Sequence, residues 1–503
     1  WWERLTISIF MEILLLGIGN KITEKRLHTS IFYGKSAGCI VFYRIFAFPL
    51  PYGRDKKKYS MDWKQLISYK RFGKEDEYRV VNERRTEFQR DYDRLIFSSA
   101  FRRMQNKTQV FPLPGSIFVH NRLTHSLEVS SVGRSLGTDI GNELLRRHPH
   151  LDRADMDALG SIVSAACLAH DMGNPPFGHS GERAIRSFFL EGRGAMLREQ
   201  LSADTWADIT NFDGNANAFR LLTHQFNGHR RGGFVMTYST LASIVKYPRC
   251  SHLAGKRSKF GFFYTESEDY LKIANELGIP RSASDPDTLS YARYPLVYLV
   301  EAADDICYEI MDIEDAHKLR LLSDERTEAL LLGFFDEQTR QRLQQSYDVV
   351  TDFNDRIVYY RSCVINALEQ ACVRVFLDHE EEILAGTFEG TLIGHLPEPL
   401  KEAYKRCEEV AASRIYKAKE VTDVDLAGYH IIYTLLELMT DAVLSPEKAY
   451  SRLLLSQASR QYELHSENLS TRIMAVLDYL SGMTDVFALD LYRKISGQSL
   501  PMV

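Results

Sequence analysis

The sequence predicts a mostly α-helical protein with a few short strands, and three observations support this fold class. From residue 61 onward, apolar residues recur at intervals of three and four, which is the spacing of amphipathic helices. The alternation typical of strands is convincing only around residues 234–247 and 260–265. The sequence contains no tandem repeat, low-complexity tract or long linker. We therefore expect residues 61–503 to form one large helical unit.

Residues 1–60 differ from the rest of the chain in charge and pattern. They hold ten Lys/Arg against four Asp/Glu, and their apolar run at 7–19 is shorter than the about 20 residues of a bilayer span. A regular amphipathic pattern begins only at Met61. We expect Met61 to be the biological start and residues 1–60 to be a non-native or dispensable extension, with no stable membrane association. The alternative is a membrane-associating arm, because this segment combines apolar and basic elements.

Several segments of the body predict helices, in chain order. The first keeps one apolar stripe to about residue 147, formed by Leu123, Leu127, Leu136, Ile140 and Leu144. The second covers 162–169 and ends before Gly173 and a Pro-Pro pair, since proline cannot continue a helix. The third covers 296–316 and follows a proline. Further amphipathic helices fall within 326–385 and 400–460.

The composition narrows the class of protein and its compartment. Hydrophobic residues make up 45% and charged residues 26%, which is ordinary for a globular protein. The net charge of −5 combines a surplus of six positive charges in residues 1–60 with a surplus of eleven negative charges in the rest. An acidic body excludes a protein whose whole surface follows nucleic acid, while a local basic site stays open. The seven scattered cysteines form no CxxC pair, which favours reduced thiols and a cytoplasmic protein.

Four side chains with metal-binding chemistry stand out: His125, His170, Asp171 and Asp304. His170 and Asp171 are adjacent at the C-terminal end of an apolar helix, in SIVSAACLAHDMG. Two imidazoles and two carboxylates form a set of nitrogen and oxygen donors, which suits Mn²⁺, Fe²⁺ or Mg²⁺ better than a thiolate-rich zinc cage does. Asp305 is also a carboxylate, and periodicity alone does not decide which of the two neighbouring aspartates faces a metal.

The arrangement H…HD…D resembles that of the HD superfamily of metal-dependent phosphohydrolases. The surrounding strings are similar to those of its deoxyguanosine triphosphate triphosphohydrolase branch, namely RLTHSLEV, HDMGNPPFGHSGE, EAADDI, KTQVFPL, FDGNANAFRLL, IVKYPR and YLSGMTDVFALDLYRK. The resemblance covers roughly residues 78–495. It implies an HD-domain helical fold with its core at about residues 100–316 and additional helices in a C-terminal region at about 317–503.

The resemblance implies hydrolysis of dGTP, and of dNTPs more generally, to deoxynucleoside and inorganic triphosphate by attack of water at the α-phosphate. The family pattern selects the first aspartate of EAADDI, so the metal ligands would be His125, His170, Asp171 and Asp304. The metal would be Mn²⁺ or Mg²⁺, with Fe²⁺ as an alternative. It would polarise a phosphoryl oxygen and lower the pKa of a water molecule.

A catalytic pair for proton transfer is a second implication of the resemblance. The string GNPPFG makes a rigid turn after His170 and Asp171 and returns the chain towards the metal at His179. Glu182 follows one helical turn later. In the family, the matching histidine and glutamate act beside the metal, where the glutamate fixes the imidazole tautomer and raises its basicity. His179 and Glu182 are therefore the expected catalytic residues.

The resemblance also implies substrate contacts. Lysine acts at phosphates as a compact, mobile point charge. A tyrosine one turn after the metal-binding aspartate would pack against the deoxyribose and leave no space for a 2′-hydroxyl. The expected set is Gln109 and Val110 near the base, Asn215, Lys246, Tyr247 and Lys259 at the phosphates, Tyr308 at the sugar and Asp312 at its 3′-hydroxyl.

Four positions depart from the family's usual pattern. Asn211 and Asp213 stand where the usual string has a histidine or glutamate, and Asn217 stands for a glutamine. His430 stands where the relative with the strictest dGTP preference has an arginine. The metal-binding set is intact, so these changes leave base selectivity open.

Two other classes of function also remain open. Another HD phosphohydrolase, such as a nucleotidase or phosphodiesterase, would share H…HD…D but lack GNPPFGH and SGMTD. A non-catalytic protein on the same fold would bind nucleotides or single-stranded nucleic acid. The expected partners are dGTP or another dNTP, further copies of the chain in a hexamer or tetramer, and single-stranded nucleic acid as a modulator.

Overall fold

The chain divides into two units, Trp1–Tyr59 and Ser60–Val503. The computed structural model describes residues 31–36, 39–44, 60–77, 85–111, 119–254, 259–282, 288–346 and 352–499. In the first unit, strand β1 (Ile31–Ser36) pairs antiparallel with strand β2 (Cys39–Arg44). The apolar run at 7–19 lies outside the described residues. That residues 1–60 are dispensable stays a prediction.

The described part of the second unit is built of α-helices, which confirms the predicted fold class. No helix among these residues combines the length and the apolar character needed to cross a bilayer. The helices are α1 (Trp63–Leu66), α2 (Glu87–Ile96), α3 (Ser99–Arg103), α4 (Arg122–Arg147), α5 (Arg153–Asp157), α6 (Leu159–Ala169), α7 (Gly178–Leu190), α8 (Ala203–Thr210), α9 (Gly214–Thr223), α10 (Tyr238–Ile244), α11 (Ser267–Leu277), α12 (Val297–Lys318), α13 (Asp324–Leu332), α14 (Glu337–Ser346), α15 (Phe353–Asp378), α16 (Glu380–Leu384), α17 (Glu398–Val410), α18 (Lys419–Leu444), α19 (Ala449–Leu455), α20 (Leu469–Ser481) and α21 (Asp485–Ile495).

The two strands predicted from alternation in this unit are wrong. Residues 238–244 form α10, which Thr237 caps by accepting a hydrogen bond from Thr240 N. Every residue of α10 is buried, so its apolar residues do not mark one face and the pattern does not distinguish a helix from a strand. At 260–265 the chain makes a single bridge, between Cys250 and Phe262, and then enters a short 3₁₀ turn.

Three helices, α4, α6 and α12, form the centre of the unit. Helices α4 and α6 pack closely because glycines meet: a Cβ on Gly137 would lie 2.8 Å from Cα of Gly160. On α4, Leu136 belongs to the fully buried part of the predicted stripe, whereas Leu123 and Leu127 are half-buried. This packing brings the start of α4, the end of α6 and the middle of α12 together.

A second apolar core joins α7 to the C-terminal helices. Phe188 and Phe189 of α7 are fully buried against a group that includes Leu435 of α18 and Val476 of α20. Burial of large aromatic side chains is a major stabilising contribution to such a core. Helix α7 therefore takes its position from the C-terminal helices α18, α20 and α21 rather than from the central three.

Candidate active site

The four predicted metal ligands come together where α4, α6 and α12 meet. His125 lies in the first turn of α4, which Asn121 caps, and Asp304 lies in α12. His170 and Asp171 follow the last residue of α6. The Nε2 atoms of His125 and His170 lie 3.1 Å and 3.3 Å from Asp304 Oδ1. One donor atom each of His125, His170 and Asp171 fall within 4.8 Å of one another.

The hydrogen bonding of His170 suits a cation at this point. Its Nδ1 lies 2.6 Å from the carbonyl oxygen of Cys167, which can only accept, so Nδ1 carries the proton. Nε2 is then left with a lone pair, and it is buried with no hydrogen-bond partner among the described residues. It faces Asp304 and lies 3.7 Å from Asp171 Oδ1. A buried lone pair beside two carboxylates needs a positive charge, so the donor set fits a divalent metal.

Two cations keep the carboxylates of this cluster ionised. Burial alone would raise the pKa of Asp304, but the Lys246 ammonium, which donates a hydrogen bond to it, holds that pKa well below its usual range. Burial also opposes ionisation of Asp171, yet Arg122 lowers its pKa to about 2, with Nη1 donating to Oδ2 at 2.7 Å. Ionised carboxylates are the state that binds a metal.

The turn after Asp171 places His179 and Glu182 as a hydrogen-bonded pair. Phe177 adopts a left-handed conformation (φ 58°), and α7 begins at the next residue. His179 Nδ1 lies 3.1 Å from Glu182 Oε2, while Glu182 Oε1 accepts a hydrogen bond from Gly214 N at 2.7 Å. Despite burial, the His179 contact lowers the pKa of Glu182. Glu182 is therefore an anchored acceptor, and the 77% exposed His179 ring leaves its Nε2 free to face a ligand.

A cavity of about 1260 Å³ connects the cluster with this pair. Most of the predicted site residues line it: Gln109, Val110, His170, Asp171, His179, Glu182, Asn215, Lys246, Tyr247, Lys259, Asp304 and Tyr308. His125 is buried behind the cluster. Asp312 does not belong to the lining; it is buried one turn beyond Tyr308, where its Oδ2 accepts a hydrogen bond from the Tyr416 hydroxyl at 2.8 Å.

The lining offers distinct chemistry at different places. Lys259 lies over the ring of Tyr247, 5.7 Å from its centroid. Oε1 of Gln109 is buried without a hydrogen-bond partner among the described residues, and an acceptor of this kind suits the donor groups of a base. The ring of Tyr308 lies edge-on to His125, with centroids 6.4 Å apart. Burial raises the pKa of the neighbouring Asp305 to about 7.

Three of the lining residues that were missed in the sequence carry polar groups close to predicted site residues. Arg122 stands three residues before His125, and Arg186 stands four after Glu182, so both share a helix face with a predicted site residue. That spacing could have identified them. Tyr416 follows a π-helical turn that is distant from Tyr308 in the chain, and no pattern in the sequence predicts that the two rings lie side by side.

The residues that depart from the family pattern have separate places. Asn211 and Asp213 line the cavity, and Asp213 caps α9 and accepts a hydrogen bond from the Asn215 amide at 2.9 Å. Asn217 donates to the Gly173 carbonyl oxygen at 2.7 Å, which ties α9 to the turn after Asp171. His430 is exposed outside the lining, with Nε2 3.1 Å from the Tyr492 hydroxyl.

Comparison with known proteins agrees with this geometry. Residues 122–246 match the HD domain, and residues 394–494 match the phosphohydrolase-associated domain. The chain is 38% identical over 461 residues to a deoxyguanosinetriphosphate triphosphohydrolase-like protein of Pseudomonas aeruginosa. The aligned region covers 88% of this chain and 100% of the relative.

Two further relatives have similar coverage. A deoxyguanosinetriphosphate triphosphohydrolase-like protein of Synechocystis sp. is 36% identical, over 88% of this chain and 100% of its own length. The deoxyguanosinetriphosphate triphosphohydrolase of Yersinia enterocolitica is 29% identical, over 86% of this chain and 99% of its own length. The chain is therefore a hydrolase that belongs to the deoxyguanosinetriphosphate triphosphohydrolase branch of the HD-domain phosphohydrolase superfamily.

Proposed function

We propose that this protein hydrolyses dGTP, and other dNTPs more generally, to deoxynucleoside and inorganic triphosphate. The observation that carries the proposal is that the His170–Asp304 cluster and the His179–Glu182 pair face one cavity of about 1260 Å³. This volume exceeds that of typical small-molecule sites, so a whole nucleoside triphosphate fits. The relatives are named as deoxyguanosinetriphosphate triphosphohydrolases or as proteins like them, and these names support the same substrate class.

His125, His170, Asp171 and Asp304 would hold the divalent cation, for which we propose Mn²⁺ or Mg²⁺, with Fe²⁺ as an alternative. Such a cation, when bound, polarises a phosphoryl oxygen and lowers the pKa of a water molecule. The mixed nitrogen and oxygen donors favour these metals over a zinc site rich in thiolates.

His179 moves a proton in the proposed reaction. Water attacks the α-phosphorus and releases one proton to solvent, the bond from phosphorus to the 5′-oxygen breaks, and that oxygen must gain a proton to leave as the deoxynucleoside hydroxyl. His179, which is exposed, regains its proton from solvent. Glu182 accepts from His179 Nδ1, so Nε2 is the atom that delivers this proton. Because Gly214 N holds the other carboxylate oxygen, the ring keeps one orientation while the proton moves.

Cations of the lining would bind the triphosphate. Arg186 and Lys259 line the cavity, and neither forms an ion pair with a carboxylate of the described residues. Lys246 already contacts Asp304, so its charge lies next to the proposed metal position. Positive groups of this kind bind the phosphate oxygens by charge-assisted hydrogen bonds. We include Asn215 and Tyr247 as neighbouring phosphate contacts.

The sugar and base would occupy the part of the cavity near Tyr308 and Gln109. The Tyr308 ring, close to the His125 cluster, would pack on the deoxyribose and exclude a 2′-hydroxyl. Gln109 and Val110 would contact the base. A hydrogen bond from the 3′-hydroxyl to Asp312 stays a prediction. The Asp312 carboxylate would have to accept it while it also accepts the bond from the Tyr416 hydroxyl. A hexamer or tetramer, and modulation by single-stranded nucleic acid, also stay predictions.

The test is product analysis with each of the four dNTPs and GTP, in Mn²⁺ and in Mg²⁺. The expected products are deoxynucleoside and triphosphate, so a phosphate-specific dye responds only after a phosphatase is added. dGTP is expected to react fastest and GTP slowly. Release of monophosphate or pyrophosphate would instead identify another kind of HD phosphohydrolase.

A further inference from the structure

One carboxylate near the C-terminus contacts two segments that line the cavity. Asp485 is the first residue of α21 and is buried. Its Oδ2 accepts a hydrogen bond from Thr108 N at 2.7 Å, and its Oδ1 accepts one from Phe177 N at 2.9 Å. Thr108 precedes Gln109 and Val110, and Phe177 precedes α7. Both of these bonds have a charged acceptor, which makes them stronger than bonds between neutral groups.

Phe177 needs such support because its backbone is strained. A non-glycine residue in the left-handed region is unfavourable and persists only when its surroundings hold it. Its ring packs on Gly428 of α18, where a Cβ would lie 2.4 Å from Cγ of the ring. The Asp485 bond and the Gly428 contact therefore hold the residue that sets the direction of α7. His179 is two residues further on.

A second buried group connects the same three segments. Nζ of Lys107 donates hydrogen bonds to the carbonyl oxygens of Asn174 (2.5 Å) and Ser481 (2.8 Å). Asn174 belongs to the turn after Asp171, and Ser481 is the last residue of α20. Lys107 and Asp485 thus join the loop at 107–110, the turn at 174–177 and the C-terminal residues 481–485 by direct hydrogen bonds.

We propose that Asp485 is a positioning residue that sets the distance between the base-binding loop and the proton-transferring His179, with Lys107 as its second link. The inference rests on the proposed function. It gives the motif SGMTD, at 481–485, a specific part in the reaction: the C-terminal helices hold the loop at 107–110 and the turn at 174–177 in the relative position that the substrate requires. Catalysis is sensitive to such placement, since a misplacement of about 1 Å can cost about 100-fold in rate.

The test compares Asp485→Asn with two controls in the full-length protein. The amide keeps the shape of the carboxylate but accepts through one oxygen only, so one of the two backbone N–H groups loses its acceptor. Asn468→Ala removes the cap that binds Thr471 N and destabilises the start of the preceding helix α20. Asp490→Asn removes the exposed pair with Lys494. We expect Asp485→Asn to lower kcat about 10- to 100-fold and to raise KM, with metal content unchanged. Both controls should keep the parental kcat and KM.

A double-mutant cycle separates positioning from general loss of structure. In a His179→Ala background, Asp485→Asn should lower kcat little further, because the residue it positions is gone, while KM should still rise through the Thr108 side. Equal further losses of kcat in both backgrounds would overturn the proposal, as would Asp485→Asn behaving like its controls. If His179→Ala itself has the parental rate, the proposed proton transfer by His179 fails instead, and if the parent releases no triphosphate from any dNTP, the proposed function fails. Should Asp485→Asn not fold, Lys107→Met takes its place, with the same expected direction and the same contradicting result.

Discussion

Nε2 of His125 and Oδ1 of Asp304 are 3.1 Å apart, although one lies in the first turn of α4 and the other in the middle of α12. His125 is 2% exposed, so the contact is closed to solvent on the side of the histidine. The capping of α4 by Asn121 fixes where the helix starts and therefore where His125 points. The set of metal donors therefore depends on how α4 and α12 pack against each other.

Replacing His170 or Asp171 by alanine should abolish hydrolysis and remove the metal while the helical fold remains. Both residues follow the same rigid helix end, so no neighbour can replace either donor. Anaerobic metal analysis, turnover of dGTP and circular dichroism measure the three effects. His150→Ala, at an exposed position, is the matched control. A variant that retains stoichiometric metal and normal turnover would contradict the assignment.

His179→Ala should keep the metal and bind dGTP, yet lose about 10²- to 10⁴-fold in turnover, the usual contribution of positioned acid–base help. Glu182→Gln should have a smaller effect in the same direction, because the amide can still accept one hydrogen bond. Single-turnover rates, substrate affinity and metal content should be measured together. Loss of metal from His179→Ala would make this residue a ligand, and the parental rate would exclude the proposed proton transfer.

A chain that starts at Met61 should keep kcat, KM and melting temperature. Met61 is itself buried, and its N–H donates to the Leu384 carbonyl oxygen at 2.8 Å, so a start beyond Met61 should be destabilising. The measurement compares the shortened and full chains in dGTP turnover and in sedimentation with lipid vesicles. Reduced activity of the shortened chain, or binding of the full chain to vesicles, would give residues 1–60 a function.

Stability should decrease above neutral pH through His120, which joins the start of α4 to α12. Burial opposes its charge, but Asp315, with Oδ2 2.8 Å from Nδ1, and Glu128 raise the pKa of His120 to about 10. Because the folded pKa exceeds the unfolded value of about 6.5, the contribution is complete below pH 6.5 and is lost as the pH rises to about 10.

The measurement is the free energy of unfolding of the parent and of His120→Gln from pH 6.5 to 10. At pH 6.5 the parent should be more stable by about 2 kcal/mol, and this advantage should shrink towards zero at the upper end. A difference that stays constant over the whole range would mean that the His120 charge does not stabilise the fold.

Features that depend on local chain order were predictable from the sequence. The position of His170 and Asp171 at a helix end was predicted from the spacing of the apolar residues before them and from the two prolines after them. Both signals act within a few residues of the chain. The three central helices, α4, α6 and α12, have nearly the predicted limits. The predicted strand at 234–247 was wrong because α10 is buried on all sides, so its sequence carries no face-specific pattern.

The sequence by itself determined the helical class, the family and the residues able to bind a metal, since these depend on residue type and short-range spacing. Only the tertiary structure decided that Asp304 faces both histidines, that Arg122 and Lys246 keep the carboxylates ionised, and that Asp485 joins two segments of the cavity lining. These contacts cross between helices that are distant in the chain, and a hydrogen bond from a carboxylate to a remote backbone N–H has no periodic signature. The packing of one helix on another sets such distances, and local sequence does not encode them.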